Sequence, residues 1–128
     1  MHTSLFAALP KRVPSESEHM TKNLADLLTA AGYFDVRSRV DGYPSPRLHP
    51  QVLDMPDVTA VNLKGVHDVF YVLTDEHIGR SDLLRPWRTL LSGCGKRVRV
   101  WLAIPEGRRP VVQARLAAMG VQACVLEI

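Results

Sequence analysis

The sequence lacks any apolar run close to the roughly 18 residues that a membrane-spanning helix requires. Its apolar patch near the N-terminus, Leu5 to Leu9, follows no basic stretch and is too short for a secretory signal peptide. We therefore expect a cytoplasmic protein that has no membrane contact.

Cysteine is scarce, and the common patterns of catalytic or metal-binding histidine and serine are absent. The two cysteines, Cys94 and Cys124, stand in no C-x-x-C or zinc-type spacing, so we expect two free thiols. His49, His67 and His77 form no H-x-x-x-H pattern, and no serine lies in a G-x-S-x-G motif. These absences argue against a zinc site and against a serine nucleophile.

The length and composition are those of one globular domain. The chain has 128 residues, of which 46% are hydrophobic and 23% charged, and its formal net charge is +3. Residues 1–14 predict an N-terminal arm, and residues 15–128 predict a single α/β domain. The basic residues concentrate between positions 80 and 115, which permits contact with nucleic acid.

A clear helix signal opens the domain. Ser15 is a good N-cap, and Glu18 three residues later completes a capping box, which also explains this acid without a metal. Apolar residues recur at helical spacing from there to Gly32, which supplies the stop. Residues 33–40 alternate as a strand does, and the four prolines within residues 41–56 predict a long loop.

A β-hairpin follows and organises the predicted fold. Residues 58–63 and 66–73 predict two strands around a Lys64–Gly65 turn, and the apolar run 69–73 predicts the centre of the sheet. Residues 74–80 are expected to form a polar, solvated connection. The remaining elements are a helix at 81–92, a strand at 98–104, a helix from Pro110 to Gly120 and a strand at 121–128.

The order of elements is α-β-β-β-α-β-α-β. It predicts a three-layer α/β/α sandwich with a mixed sheet. The last three elements form a β-α-β unit, so we expect their strands to be parallel.

Four features stand in a familiar order along the chain. They are an acid in the first helix (Glu16 or Glu18), the pair Pro56–Asp57 at the head of a hairpin strand, the apolar strand 69–73, and Trp87 in the next helix. In these features and in topology over residues 15–128, the chain resembles the restriction-endonuclease-like superfamily of PD-(D/E)xK nucleases. The resemblance implies carboxylates that hold Mg²⁺ and a lysine that activates water, with DNA or RNA as the partner.

The chain departs from the family pattern at the catalytic strand. The pattern requires an acid and a lysine two residues apart, which alternation places on one face. The matching positions hold Leu73 and Asp75, and a shift of one residue gives Thr74 and Glu76. Neither pair is an acid followed by a lysine, so we expect a degenerate motif without a cofactor.

The resulting hypothesis is a non-catalytic nuclease-like domain that acts in binding or scaffolding, on nucleic acid or in a nucleic-acid-processing assembly. One alternative is an active Mg²⁺-dependent nuclease, with Asp57 and Asp75 as the metal ligands. A second alternative is a protein-interaction or homodimerisation module that pairs through residues 124–128 or the N-terminal patch. The catalytic set of the first alternative is Glu18, Asp57, Asp75 and Glu76.

Two basic groups are the candidate contacts to nucleic acid. Arg97 and Arg99 alternate with valines, so we expect them on one face near the start of a strand. Arg108 and Arg109 precede a helix N-terminus, where backbone N–H groups favour anions. The predicted nucleic-acid-binding residues are Lys96, Arg97, Arg99, Arg108 and Arg109.

Overall fold

A mixed β-sheet is at the centre of the fold. The computed structural model describes residues 15–47, 55–79, 98–120 and 124–128. The described elements follow the order α-β-β-β-α-β-α-β, in which the second helix lies at residues 75–79, while the helix predicted at 81–92 falls outside the described residues. They are α1 (Glu16–Ala30), β1 (Phe34–Ser38), β2 (Val58–Val61), β3 (His67–Val72), α2 (Asp75–Gly79), β4 (Val98–Ile104), α3 (Arg109–Ala118) and β5 (Cys124–Glu127).

The strands lie side by side in the order β1-β2-β3-β4-β5. The pairs β1–β2 and β2–β3 are antiparallel, whereas the pairs β3–β4 and β4–β5 are parallel. The apolar strand β3 is therefore central, and the parallel pairing of β4 with β5 is confirmed. Because β2 runs against β3 and β4, its beginning lies at the same end of the sheet as their carboxyl ends.

Helices cover both faces of the sheet, so the three-layer arrangement is confirmed. Each face has its own apolar core, and each large side chain buried there contributes on the order of 1.5–3 kcal/mol. The α1 face is built from Met20, Leu24, Ala25, Leu28, Val58, Ala60, Phe70, Val72 and Ala103. The opposite face combines Ile78 of α2 and Val112 and Leu116 of α3 with Val69, Tyr71, Leu73, Val98, Val100, Leu102, Ile104 and Val125.

Helix α1 has the ends that the sequence predicts. The Ser15 side chain accepts a hydrogen bond from the Glu18 N–H at 3.1 Å, as expected for the N-cap. At the other end Gly32 has φ +86°, and the Tyr33 N–H donates to the Leu28 carbonyl at 3.1 Å. This is the Schellman arrangement, which requires the left-handed conformation at Gly32 and fixes the position of Tyr33.

The segment after β3 differs from the expected polar connection. Residues Asp75–Gly79 form the short helix α2, and the Thr74 hydroxyl accepts from the His77 N–H at its start, as an N-cap does. The Thr74 carbonyl accepts from the Ile78 N–H at 3.0 Å, and the Thr74 N–H donates to His77 Nδ1 at 3.2 Å. Histidine thus takes the place that glutamate holds in a capping box, and Ile78 is buried.

Several predictions concern residues outside the described ranges. They are the N-terminal arm, residues 48–54 of the proline-rich loop, the helix at 81–92 with Trp87, Cys94, and the basic residues Lys96 and Arg97. Of the helices that the structure describes, none is long and apolar enough to span a membrane.

Candidate functional site

The predicted site residues that the structure describes fall at two opposite ends of the sheet. Asp57, Asp75 and Arg108 lie at the carboxyl end of β3 and β4, whereas Arg99 lies near the beginning of β4. Strand β4 has seven residues, so its two ends are roughly 20 Å apart at about 3.3 Å per residue. Among the predicted nucleic-acid contacts that the structure describes, Arg99 therefore lies at the opposite end of the sheet from Arg108 and Arg109.

Asp57 is held firmly at the start of β2. Its backbone N–H donates to the Phe70 carbonyl at 3.0 Å. One carboxylate oxygen accepts from Arg39 Nε, and the other accepts from the backbone N–H of Val72 at 2.7 Å. Both oxygens of the aspartate that the sequence singled out thus take part in hydrogen bonds within the fold.

Arg39 joins this carboxylate to helix α1. Its Nη2 donates to the hydroxyls of Ser17 and Thr21, and its backbone N–H donates to the Asp57 carbonyl at 3.1 Å. The Arg39 guanidinium therefore donates to three side-chain oxygens, those of Asp57, Ser17 and Thr21. Sequence reasoning missed Arg39, because its partners lie 18 or more positions away and no local pattern marks the pairing.

The register of β3 shows which of its residues lies beside Asp57. Val72 packs in the α1 core and its N–H meets Asp57, whereas Leu73 packs in the opposite core. The position beside Asp57 is therefore Val72, not Leu73. The valine side chain offers no metal ligand at this position.

The other predicted acids have different surroundings. Asp75 and Glu76 occupy the first turn of α2, and Asp75 accepts from Arg108 Nε at 2.8 Å. Glu18 lies in the first turn of α1. Within residues 15–47, 55–79, 98–120 and 124–128, no three His, Cys, Asp or Glu side chains are placed to hold one metal ion. The metal assignment at Asp57 and Asp75 stays a prediction.

The two arginines at the start of α3 are engaged in ion pairs. Arg108 pairs with Asp75, and Arg109 Nε lies 3.5 Å from a carboxylate oxygen of Glu127. The other oxygen of Glu127 accepts from the Gly107 N–H at 3.3 Å. An anion that approached this helix end would meet two carboxylates, so the geometry here is less favourable to phosphate than the sequence suggested.

At the opposite end of the sheet, the hairpin turn borders a groove of about 280 Å³. The groove combines aromatic and aliphatic surface with two cationic side chains, and its Leu63 is 71% exposed. Its lining residues are Tyr33, Asn62, Leu63, Lys64, Val66 and Arg99.

The hairpin turn holds its groove residues in a defined conformation. The buried side chain of Asn62 accepts from the backbone N–H groups of Lys64, at 2.8 Å, and Val66, at 3.0 Å. Gly65 has φ +78°, a conformation that favours glycine at this position. The backbone that presents Leu63 and Lys64 is thus fixed from within.

Arg99 is anchored in the same groove by a buried acid. Its Nε and Nη2 reach the two carboxylate oxygens of Asp68 at 3.0 and 3.2 Å, and Asp68 is fully buried. These hydrogen bonds raise the pKa of Arg99. The guanidinium also lies 5.3 Å from the ring centre of Trp101, while 44% of the Arg99 side chain stays exposed.

Comparisons with known proteins give one point of reference. No protein-family model and no curated protein sequence matches the chain. Among solved structures, the chain is similar to a repair endonuclease from Pyrococcus abyssi, with 20% identity and a TM-score of 0.43. The similarity covers 91% of this chain and 50% of that one, so the chain spans about half the length of the endonuclease.

Proposed function

We propose that this chain is a non-catalytic domain of nuclease-like fold that binds nucleic acid. The observation that carries the proposal is the hydrogen-bonded ion pair between Arg39 and Asp57 at the end of the sheet where the family resemblance implies a metal site. The binding surface in this proposal is the groove at the opposite end, beside the hairpin turn.

The Arg39–Asp57 pair disfavours a catalytic metal. Magnesium requires near-octahedral oxygen coordination, which nucleases build around carboxylates. Here each Asp57 oxygen accepts a hydrogen bond, and one of the donors is a guanidinium. Two like unit charges about 4 Å apart repel by about 4 kcal/mol at an effective dielectric constant of 20. A divalent cation beside Arg39 would face a larger penalty.

The groove has the chemistry that nucleic acid requires. Lys64 and Arg99 carry positive charge for phosphate contacts, and Tyr33 offers an aromatic ring against which a base can stack. Asp68 offsets part of the charge of Arg99, so Lys64 supplies most of the net positive charge at this site. Lys64 is therefore the residue whose substitution tests the proposal.

The test is a titration of labelled DNA and RNA oligonucleotides at low and moderate salt, followed by fluorescence anisotropy. We expect binding that weakens as salt rises, because phosphate contacts release counterions. Lys64→Glu should weaken binding and reduce its salt dependence. The matched control is Lys22→Glu, which makes the same charge reversal at an exposed lysine of α1. Lys22 pairs with Asp26, one turn further along the helix.

Two outcomes would overturn the proposal. The first is the absence of binding to every DNA and RNA oligonucleotide at low salt. The second is an equal loss of affinity in the Lys64 and Lys22 variants, which would mean that binding follows net charge and not the groove.

A protein-interaction module is the second candidate, favoured by the surface of β1. This strand lies at the edge of the described sheet, and its Phe34 is 59% exposed. Edge strands with exposed apolar side chains can pair with another chain. Gel filtration of the protein over a range of concentrations tests the homodimeric form of this candidate, which requires a stable dimer that Phe34→Glu disrupts.

A further inference from the structure

The groove beside the hairpin turn is small and has two kinds of surface. Its apolar part is formed by Tyr33, Leu63 and Val66, and its cationic part by Lys64 and Arg99. The Schellman turn after α1 fixes Tyr33, and the hydrogen bonds of Asn62 fix the segment that carries Leu63 and Lys64. A ligand would therefore meet a preformed site, which lowers the entropic cost of binding.

Its size limits what it can hold. Sites for drug-sized ligands measure about 300–1,000 Å³, and this groove, at about 280 Å³, lies just below that range. A ligand with one flat ring and one anionic group would use the apolar and the cationic surface together. Bases in a duplex have their faces covered by their neighbours, so only an unpaired base can turn its face to a side chain.

We propose that the groove binds one unpaired nucleotide of a single-stranded DNA or RNA. Its base packs against Tyr33 and Leu63, and its phosphate lies between Lys64 and Arg99. This inference rests on the proposed function and deepens it, because it names the form of nucleic acid that the site recognises.

Arg99 has a second role in this arrangement. The buried Asp68 accepts hydrogen bonds from its Nε and Nη2, which restrain the guanidinium at the groove. Its stacking over Trp101 restrains it from another side. A phosphate would thus meet one fixed cationic residue, Arg99, and one flexible one, Lys64.

The experiment compares single-stranded oligonucleotides with the corresponding duplex of equal length. We expect the single strand to bind at least about ten-fold more tightly than the duplex. Tyr33→Leu keeps an apolar side chain but removes the ring, and should weaken single-strand binding about five-fold or more, since stacking on aromatic residues has effects of that size and above. Tyr33→Phe should retain the affinity.

Leu63→Ser provides a second variant that does not threaten folding, because Leu63 is 71% exposed. It should also weaken single-strand binding, and an abasic oligonucleotide should be insensitive to both the Tyr33→Leu and the Leu63→Ser changes. Thermal denaturation of each variant confirms that the fold is intact.

The results separate the two proposals. Equal affinity for single strand and duplex overturns the unpaired-nucleotide site but leaves nucleic-acid binding in place. The same conclusion follows if Lys64→Glu weakens single-strand binding while Tyr33→Leu and Leu63→Ser leave it unchanged. Absence of binding to any oligonucleotide at low salt overturns both. Capture of an acidic polypeptide in place of nucleic acid would likewise contradict both.

Discussion

Arg39 and Asp57 lie 18 positions apart in the sequence and are joined by a side-chain hydrogen bond. Arg39 follows β1 and Asp57 precedes β2, so the pair connects two neighbouring strands at one end of the sheet. Through Ser17 and Thr21 the same guanidinium also holds helix α1. The Arg39 guanidinium thus links the Asp57 carboxylate to helix α1.

The first prediction concerns the contribution of this pair to stability. Arg39→Met should lower the free energy of unfolding by about 1–2 kcal/mol, because charge-assisted hydrogen bonds are lost and Asp57 is left without its cation. The loss of stability should be smaller than for a fully buried pair, because the Arg39 side chain is 35% exposed. Urea denaturation measures the change.

A double-mutant cycle with Asp57→Asn separates this pair from the other contacts of each residue. If the two side chains interact as described, the double variant loses less stability than the sum of the single losses, with a coupling of at least about 0.5 kcal/mol. Strict additivity would show that the hydrogen bond makes no net contribution.

The second prediction concerns the anchor of Arg99. Arg99→Met should cost about 2–3 kcal/mol, because it leaves Asp68 buried without its cation, while the 44% exposure of the Arg99 side chain keeps the loss below that of a fully buried pair. Arg99→Lys keeps the charge but loses the two-pronged contact, so it should cost less than methionine does. Equal losses for lysine and methionine would mean that charge at this position is irrelevant. Denaturant unfolding at constant pH provides the comparison.

The third prediction concerns pH and the carboxylate of Asp35. Partial burial acts to raise the pKa of Asp35, but hydrogen bonds from Arg47 and Arg37 outweigh it and lower the pKa. A folded-state pKa below the unfolded value, about 3.9, stabilises the fold fully above that pH. The stabilisation is then lost as pH falls through the folded pKa.

The measurement is the stability of the wild type and of Asp35→Asn across the acid range. Asparagine suits the positive φ of 48° at this position, so the variant removes charge without adding backbone strain. The wild type should be the more stable protein near neutral pH, and the difference should shrink as pH falls below about 3.9. A difference that does not depend on pH would contradict the ion-pair explanation.

Local signals explain why much of the fold was predictable. The Ser15 cap, the Gly32 stop and the apolar strand around Phe70 each leave a pattern within a few residues, and each was confirmed. Helix α2 was missed because its cap uses Thr74 with His77 in the place of an acid. The expected position of Arg99 near the start of its strand was confirmed.

The site was less predictable because its contacts depend on register. Arg99 meets Asp68 only because parallel pairing places the two residues opposite each other across β3 and β4. In the same way, only the pairing of β2 with β3 shows that Val72, not Leu73, lies beside Asp57. Spacing along one sequence carries no information about either contact.

The most direct test of the central claim measures binding and cleavage in one sample. A labelled oligonucleotide is incubated with the protein and Mg²⁺ or Mn²⁺, and both the retarded complex and the length of the recovered strand are determined. We predict a bound strand of unchanged length, with binding that Lys64→Glu weakens. Metal-dependent shortening of the strand by the wild type that Asp57→Asn abolishes would contradict the account.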